Sequence, residues 1–218
     1  MKKVLGIIFG VILAVVIVAM GALIRLEKMT EVLNDERSQI ASDEKYKTPV
    51  SVEGVEVIGQ EVSCGYAVIE MFSGWCGSDI TEEKLFEEYG KVVTSTGNAF
   101  CKEMNKRFPQ YVTTMHKYLP DTKLIDMVYD SLANGIPVPF EWAAPIQGQW
   151  TLHYSLVTGL DVAEDTVTIA NPYGYYEYIS LNEFLDRTSF EAFEDMPLYL
   201  QLAFAFGIFE KNTVFVAK

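Results

Sequence analysis

The apolar and polar positions divide the chain into an apolar start, a polar stretch, a helical region and a region of short extended runs. The apolar start covers residues 4–24 without a charge and ends at Arg25. As a helix it measures about 32 Å at 1.5 Å per residue, close to the roughly 30 Å hydrocarbon thickness of a bilayer. It is longer than the apolar region of a usual signal peptide, and no clear cleavage site follows it. The pattern therefore predicts a single-pass transmembrane anchor over residues 1–25, with a cleaved signal peptide as the alternative.

The charges on the two sides of this anchor predict its orientation. Lys2 and Lys3 precede the apolar run together with the amino terminus, whereas Arg25, Glu27 and Lys28 follow it. The positive-inside rule then favours an amino end in the cytoplasm. We therefore expect a large extracytoplasmic domain attached to the cell membrane.

A polar stretch separates the anchor from the domain. Residues 26–54 contain only sparse apolar positions, which is typical of a partly helical stalk or linker. Within and after it, residues 48–58 alternate valines with polar residues, a pattern that predicts an extended strand or arm. The domain proper is expected over residues 55–218, a length that can bury one hydrophobic core.

The first half of this domain carries helical patterns. Ser63 precedes an apolar run as its N-cap. Thr81 caps an amphipathic run that has Glu82 and Glu83 in its first turn and ends at Gly90. Two further helical patterns follow, each ended by a proline or a glycine. The predicted helices cover residues 64–72, 82–90, 98–108 and 122–134.

The second half changes to short runs of aromatic and β-branched residues bounded by glycine, proline and aspartate. These runs predict an antiparallel sheet, and Ser180 with Glu183 forms a capping box that begins a short helix. Helices followed by strands indicate an α+β domain. A last apolar run, residues 198–209, predicts a buried strand or core helix, with a surface that rests on the membrane as the alternative. The predicted strands cover residues 136–142, 153–160, 166–170, 175–179 and Thr213–Ala217.

Charge and cysteine content exclude some classes of protein. The net charge is −13, so a nucleic-acid partner is not expected, and the domain should be repelled by anionic lipid head groups. Two histidines without a nearby cluster of cysteines or carboxylates do not predict a metal site, and no cofactor is expected. Three cysteines favour three free thiols, and a Cys76–Cys101 disulfide that leaves Cys64 free is the alternative.

Three residue types in order carry the candidate chemistry. Cys64 lies at the first turn of a predicted helix, where the helix dipole and a nearby imidazolium would lower the pKa of the thiol. Gly65 would leave the neighbouring backbone open to a substrate carbonyl. His153 lies in an alternating strand, and Asn171 follows the next strand, where it could orient the imidazole. The alternatives are a packed core cysteine, a histidine at a sheet end and a turn asparagine, and His116 is expected to be solvated on a helix.

Several segments resemble the papain-like family of bacteriocin-processing, double-glycine leader peptidases, most of all its free-standing bacterial branch. This resemblance implies a papain-like cysteine peptidase fold over about residues 55–190. It also implies Cys64 as nucleophile, His153 as general base and acid, Asn171 as the orienting residue, and Gln60 as an oxyanion donor beside the Cys64 N–H. The segments that carry it are Gln60 with Cys64-Gly65, Gly135-Ile136-Pro137-Val138, residues 153–159, and Asn171-Pro172-Tyr173.

These observations together predict a membrane-anchored cysteine peptidase that hydrolyses peptide bonds through a Cys-His-Asn triad. Its expected partners are a peptide or protein substrate and the membrane that holds its N-terminal helix. A papain-like acyltransferase or amidase would use the same residues, and an inactive module that binds peptides would leave the thiol blocked or misplaced.

Overall fold

The computed structural model describes residues 2–34 and 37–218. It begins with one long helix, α1 (Lys2–Asn34). Over Val4–Leu33 this helix is long and apolar enough to cross a membrane, and within the described ranges it is the one helix that is. A signal sequence would satisfy the same criterion. Met1 of the predicted anchor and residues 35–36 of the predicted stalk lie outside the described residues.

The residues predicted as a stalk pack against the domain. A short helix α2 (Arg37–Ile40), a 3-10 turn and the two-residue strand β1 (Val50–Ser51) follow α1. Tyr46 is buried, and its hydroxyl donates to Asp126 at 2.6 Å. Buried apolar residues and hydrogen bonds therefore tie this segment to the domain surface. The division into anchor, stalk and domain remains a prediction.

The helical first half agrees with the predicted pattern. Ser63, Thr81 and Thr96 each accept a hydrogen bond from a backbone N–H in the first turn of their helix. These caps begin the helices where the sequence places Ser and Thr before apolar periodicity. The four helices are α3 (Cys64–Trp75), α4 (Glu82–Tyr89), α5 (Gly97–Arg107) and α6 (Asp121–Ala133).

His116 lies in a strand and not in a helix, so that prediction was wrong. It ends β2 (Thr113–His116), which pairs antiparallel with the last strand of the chain, β7 (Thr213–Ala217). The helix α5 stops before Phe108-Pro109, and the β-branched residues that follow favour an extended chain. The ring of His116 is half-buried as a result.

The second half forms one antiparallel sheet, with the order β2-β7-β3-β4-β5-β6. Its central hairpin, β3 and β4, turns through Gln147 and Gly148, which both have positive φ and make the tight turn that twisted strands require. β1 pairs with the far end of β4. The strands that complete the sheet are β3 (Val138–Ile146), β4 (Gln149–Asp161), β5 (Thr166–Asn171) and β6 (Tyr175–Ile179).

Two helices complete the domain after β6. α7 (Leu181–Thr188) begins at the predicted cap, where the Ser180 hydroxyl accepts from the Glu183 N–H at 3.1 Å. α8 (Leu198–Ala205) lies in the apolar run predicted as a buried element. That prediction was wrong, because Phe204 is the one buried residue of α8. α8 packs against α1 and, through Phe204, against Phe190, whereas Leu198 and Tyr199 at its start are exposed.

The hydrophobic core lies between the helices of the first half and the sheet. Tyr66, Phe72 and Phe100 from the helices meet Phe140 and Phe215 from the strands, and all five are fully buried. Helices come first and an antiparallel sheet second, after one apolar N-terminal helix. The predicted α+β fold class is confirmed.

Candidate active site

A cavity of about 160 Å³ opens where the start of α3 meets the sheet. Cys64 and His153, from the two halves of the domain, both line it. The remaining wall consists of the loop before α5 and of aromatic residues near α8. Its other lining residues include Thr94, Ser95, Glu141, Tyr154, Phe190, Phe204, Phe209 and Glu210.

Cys64 is the first residue of α3, as predicted from its N-cap Ser63. The role expected for Gly65 was wrong, because the space above its Cα is filled. A Cβ at position 65 would overlap the side chain of Thr94, which is itself buried. Glycine is therefore required here by close packing with Thr94.

A buried carboxylate fixes the loop that leads into Cys64. Glu82, at the first position of α4, accepts from the N–H of Glu61 at 2.6 Å, of Ser63 at 2.9 Å and of Val62 at 3.3 Å. These bonds hold three consecutive backbone donors that would otherwise be unpaired next to the nucleophile. The sequence indicates Glu82 as a first-turn helix residue and does not reveal this second role.

Burial dominates the protonation of the thiol. It raises the pKa of Cys64, and the backbone N–H groups of Tyr154, Gly65 and Cys64 itself oppose that rise by favouring the thiolate. The negative charge of Glu141 raises this pKa further. The lowering that the helix start predicts is thus outweighed, and burial favours the neutral thiol over the thiolate.

Hydrogen bonds determine which nitrogen of His153 carries the proton. The His153 Nε2 lies 3.0 Å from Asn171 Oδ1, which also accepts from the Tyr173 N–H at 3.0 Å. The Nδ2 of Asn171 donates to Glu177 Oε2 at 2.7 Å, and this bond fixes the orientation of the amide. Because Oδ1 can only accept, Nε2 is the protonated nitrogen and Nδ1 keeps its lone pair.

The surroundings of His153 keep its ring neutral. The ring is buried and stacks on Tyr173, with centroids 4.2 Å apart. Burial lowers the pKa of His153 to about 4, against the hydrogen bond that Nε2 donates to Asn171, which favours the charged form. At neutral pH the imidazole can therefore accept a proton.

Two residues that the sequence did not indicate, Glu177 and Arg187, hold the side chain of Asn171 in place. Arg187 is buried and donates to Glu177 Oε1 at 2.6 Å, so that Glu177 bridges Asn171 and Arg187. The guanidinium also lies 3.6 Å from the centroid of the Trp142 ring, within range of a cation–π contact. A chain of contacts thus runs from His153 through Asn171 and Glu177 to Arg187.

Gln60 lies apart from this group. It is exposed and lines a second, shallower pocket with Pro172 and Tyr173. Its backbone N–H donates to the Pro172 carbonyl at 2.6 Å, which places it beside the turn after Asn171. The structure brings Cys64, His153 and Asn171 to one site and leaves Gln60 next to it. The oxyanion role of Gln60 remains a prediction.

Two carboxyl groups give the cavity an acidic wall. Burial, together with the charge of Glu210, raises the pKa of Glu141 to about 7. Glu210 is buried and forms an ion pair with Lys117 at 2.8 Å. A carboxyl group that is partly protonated near neutral pH can donate a hydrogen bond to a bound amide or accept one from it.

Two further predictions concern the cysteines and metal binding. All three cysteines are free thiols, as favoured over a Cys76–Cys101 disulfide. No group of three or more His, Cys, Asp or Glu side chains within residues 2–34 and 37–218 could hold a metal ion.

Comparisons with known proteins identify the family of the chain. The model of a family described as "Peptidase_C39 like family" matches residues 52–197, a range that contains Cys64, His153 and Asn171. No curated protein matches the chain. Among solved structures, a double glycine motif protease from an AMS/PCAT transporter, in complex with the leader peptide, is similar at 13% identity. The likeness has a TM-score of 0.49 and covers 78% of this chain and 98% of the other.

Proposed function

We propose that this chain, which belongs to the Peptidase_C39-like family, is a membrane-anchored cysteine peptidase that cleaves peptide bonds through Cys64, His153 and Asn171. One observation carries the proposal. The Nε2 of His153 is bonded to Asn171, which leaves Nδ1 as a free base on a ring that lines the same cavity as the Cys64 thiol.

The reaction begins from a neutral pair. His153 Nδ1 takes the thiol proton while the Cys64 sulfur attacks the peptide carbonyl, and a tetrahedral oxyanion forms. The imidazolium then gives its proton to the leaving amine, the C–N bond breaks, and an acyl-enzyme remains. Water, deprotonated by the same Nδ1, attacks the thioester. The resulting tetrahedral intermediate collapses, its C–S bond breaks, and the imidazolium returns its proton to the sulfur, which releases the new carboxyl group and restores the thiol.

The start of α3 supplies the first oxyanion donors. The N–H groups of Cys64 and Gly65 belong to the first turn, where backbone donors have no acceptor within the helix. We propose that they face the oxyanion, with the Gln60 side chain as an additional donor. A donor of this kind contributes roughly 3–4 kcal/mol to transition-state binding.

The same proposal includes the position of the enzyme in the cell. Val4–Leu33 of α1 is long and apolar enough to cross the bilayer. From the charge pattern of its two ends, we infer that the amino terminus lies in the cytoplasm and the active site on the other side of the membrane.

The test uses the full chain in lipid nanodiscs and a peptide library read by mass spectrometry. The wild type should produce new carboxyl termini at defined positions. Cys64→Ser and His153→Ala should each reduce cleavage by on the order of 1,000-fold or more, because the two residues act as one unit. Cys76→Ser is the matched control, since Cys76 is also a free thiol but does not line the cavity.

Each other outcome identifies an alternative. Unchanged cleavage by Cys64→Ser would refute the assignment of the nucleophile. A product that carries an added amine in place of water would indicate an acyltransferase. Peptides that bind to the wild type without being cleaved would indicate a binding module.

A further inference from the structure

The helix α8 is apolar except at Gln201, although it lies on the surface of the domain. Its sequence, residues 198–205, contains no charged residue, and the turn that follows it is also apolar. A helix of this composition is normally buried in protein or in lipid. The exposed large apolar side chains are Leu198 at 60% and Tyr199 at 70% in α8, and Phe206 at 56% and Ile208 at 57% in the turn.

One side of α8 packs against the membrane-proximal end of α1. Leu26 of α1 joins the apolar cluster that contains Leu200 and Phe204. One turn earlier, Leu23 lines a groove together with Gln201 of α8. The half-buried positions of α1 recur at spacings of three and four residues, which marks one helix face: Ala19, Ala22, Leu23 and Leu26.

This contact places α8 at a definite depth. The apolar run of α1 ends at Arg25, so Arg25 marks the level of the lipid head groups. Leu23 and Leu26, which lie beside α8, are within two residues of Arg25, or about 3 Å along the helix axis at 1.5 Å per residue. α8 therefore lies at the level of the head groups, the region in which interfacial helices bury their apolar side chains by about 5–10 Å.

We propose that α8 and the turn after it, residues 198–208, lie in the lipid interface of the membrane that α1 spans. This inference rests on the proposed anchoring by α1. The exposed apolar side chains of α8 then continue the lipid-facing surface of α1, and the bilayer is the occupant that covers them.

The charges near α8 indicate which kind of lipid head group this helix can contact. Glu191, Glu194 and Asp195 precede the helix and are exposed. These carboxylates would be repelled by anionic head groups. The contact between α8 and the bilayer is therefore driven by the burial of apolar side chains and not by basic residues. A zwitterionic bilayer should therefore be sufficient for the contact.

The depth of α8 also determines how substrate reaches the thiol. Phe204 of α8 and its neighbour Phe209 form part of the cavity wall that faces Cys64. The cavity therefore opens beside a helix that lies in the interface. Amphipathic peptides that are already bound to the bilayer surface are the substrate class that this arrangement favours, because they reach the cavity without leaving the membrane.

Photocrosslinking of the full chain tests the position of α8. The photoreactive residue p-benzoylphenylalanine replaces Tyr199 in one variant and Tyr178 in a matched control. Tyr178 has nearly the same exposure, 66% against 70%, but lies on the edge strand β6. A third variant carries it in place of Phe9, in the first half of the apolar run of α1. Each variant is assembled in phosphatidylcholine nanodiscs, illuminated and analysed for lipid adducts by mass spectrometry.

The expected result is an adduct at positions 9 and 199, with at least about tenfold less at position 178, because only an embedded side chain meets acyl chains. Adducts at position 9 with equally low yields at 199 and 178 would overturn the inference while α1 remains an anchor. Crosslinks from position 199 to a second copy of the chain would also overturn it. A lack of lipid adducts at position 9 would contradict the anchoring itself, and peptide cleavage by the unlabelled protein tests the active site separately.

Discussion

The two sides of the cavity are held in place by different forces. Behind His153, directional hydrogen bonds run through Asn171 and Glu177 to a buried arginine. On the opposite side, Phe204 and Phe209 are packed by apolar contacts. Hydrogen bonds fix the direction and distance of each group, whereas apolar packing fixes volume and tolerates changes of shape. We therefore expect the sheet side to control the chemical step and the aromatic side to control substrate binding.

The largest effect is expected at Asn171. Asn171→Ala removes the acceptor that keeps the proton on His153 Nε2, so the free base at Nδ1 is no longer selected. We expect kcat to fall on the order of 1,000-fold, by analogy with the loss of the orienting residue in other triads. Steady-state kinetics with a peptide identified from the library measures this change.

Asn182→Ala is the control for this substitution, because Asn182 is exposed on α7. It should retain the wild-type kcat. If Asn171→Ala folds and is as active as Asn182→Ala, the orienting role is wrong.

The next prediction concerns the protonation of Cys64. Since burial raises the pKa of this thiol and lowers that of His153, the resting pair should contain little thiolate at neutral pH. Even an ordinary cysteine, with a pKa of about 8.5, is only about 3% thiolate at pH 7. The ultraviolet absorbance of the thiolate, taken as the difference between wild type and Cys64→Ser, should therefore develop only in alkaline solution. A full thiolate signal that persists from pH 5 to pH 8 would show an ion pair instead.

A smaller effect is expected at Glu177, which positions His153 through Asn171. Glu177 accepts from Asn171 and from Arg187 with different oxygens, and Glu177→Gln replaces one of these oxygens by an NH2 group that faces a donor. We expect kcat to fall about tenfold with little change in KM, as for other residues that orient a catalytic group indirectly.

The pH profile of Glu177→Gln separates this role from a structural one. The charge of Glu177 favours the imidazolium, so its removal lowers the pKa of His153 below about 4. His153 must be neutral to accept the thiol proton, and activity is lost as pH falls through this pKa. The acid limb of kcat/KM should therefore move to lower pH in the variant. A shift to higher pH would contradict the assignment.

The sequence predicted the parts of this site that are local and missed those that depend on tertiary contacts. Ser63 before an apolar run predicts the start of α3, and strand alternation predicts the elements that carry His153 and Asn171. The sequence does not reveal the contact between Glu177 and Arg187, because the two residues belong to different elements and meet only in the folded chain. A signal did exist, since Arg187 shares the buried face of α7 with apolar residues, and an arginine in that position requires a partner.

Burial explains the other differences between sequence and structure. The pKa of Cys64 depends on how far the sheet covers the start of α3, which helix pattern alone cannot give. In the same way, the run that contains α8 has the composition of a core helix, and only its place in the fold shows that Leu198, Tyr199, Phe206 and Ile208 are exposed.

The smallest effect is expected from Phe209→Leu. This substitution is also the sharpest test of the contrast between the sheet side and the aromatic side of the cavity. Phe209 is half-buried and lines the cavity, so the change removes apolar contact with the substrate but no hydrogen bond. The loss of a few tens of Å² at about 25 cal/mol per Å² should raise KM roughly threefold and leave kcat unchanged. Phe206→Leu, at an exposed position that does not line the cavity, should change neither constant when the two are compared in the same nanodiscs. A fall in kcat for Phe209→Leu with unchanged KM would show that the aromatic wall takes part in the chemical step, and the division between the two sides would be wrong.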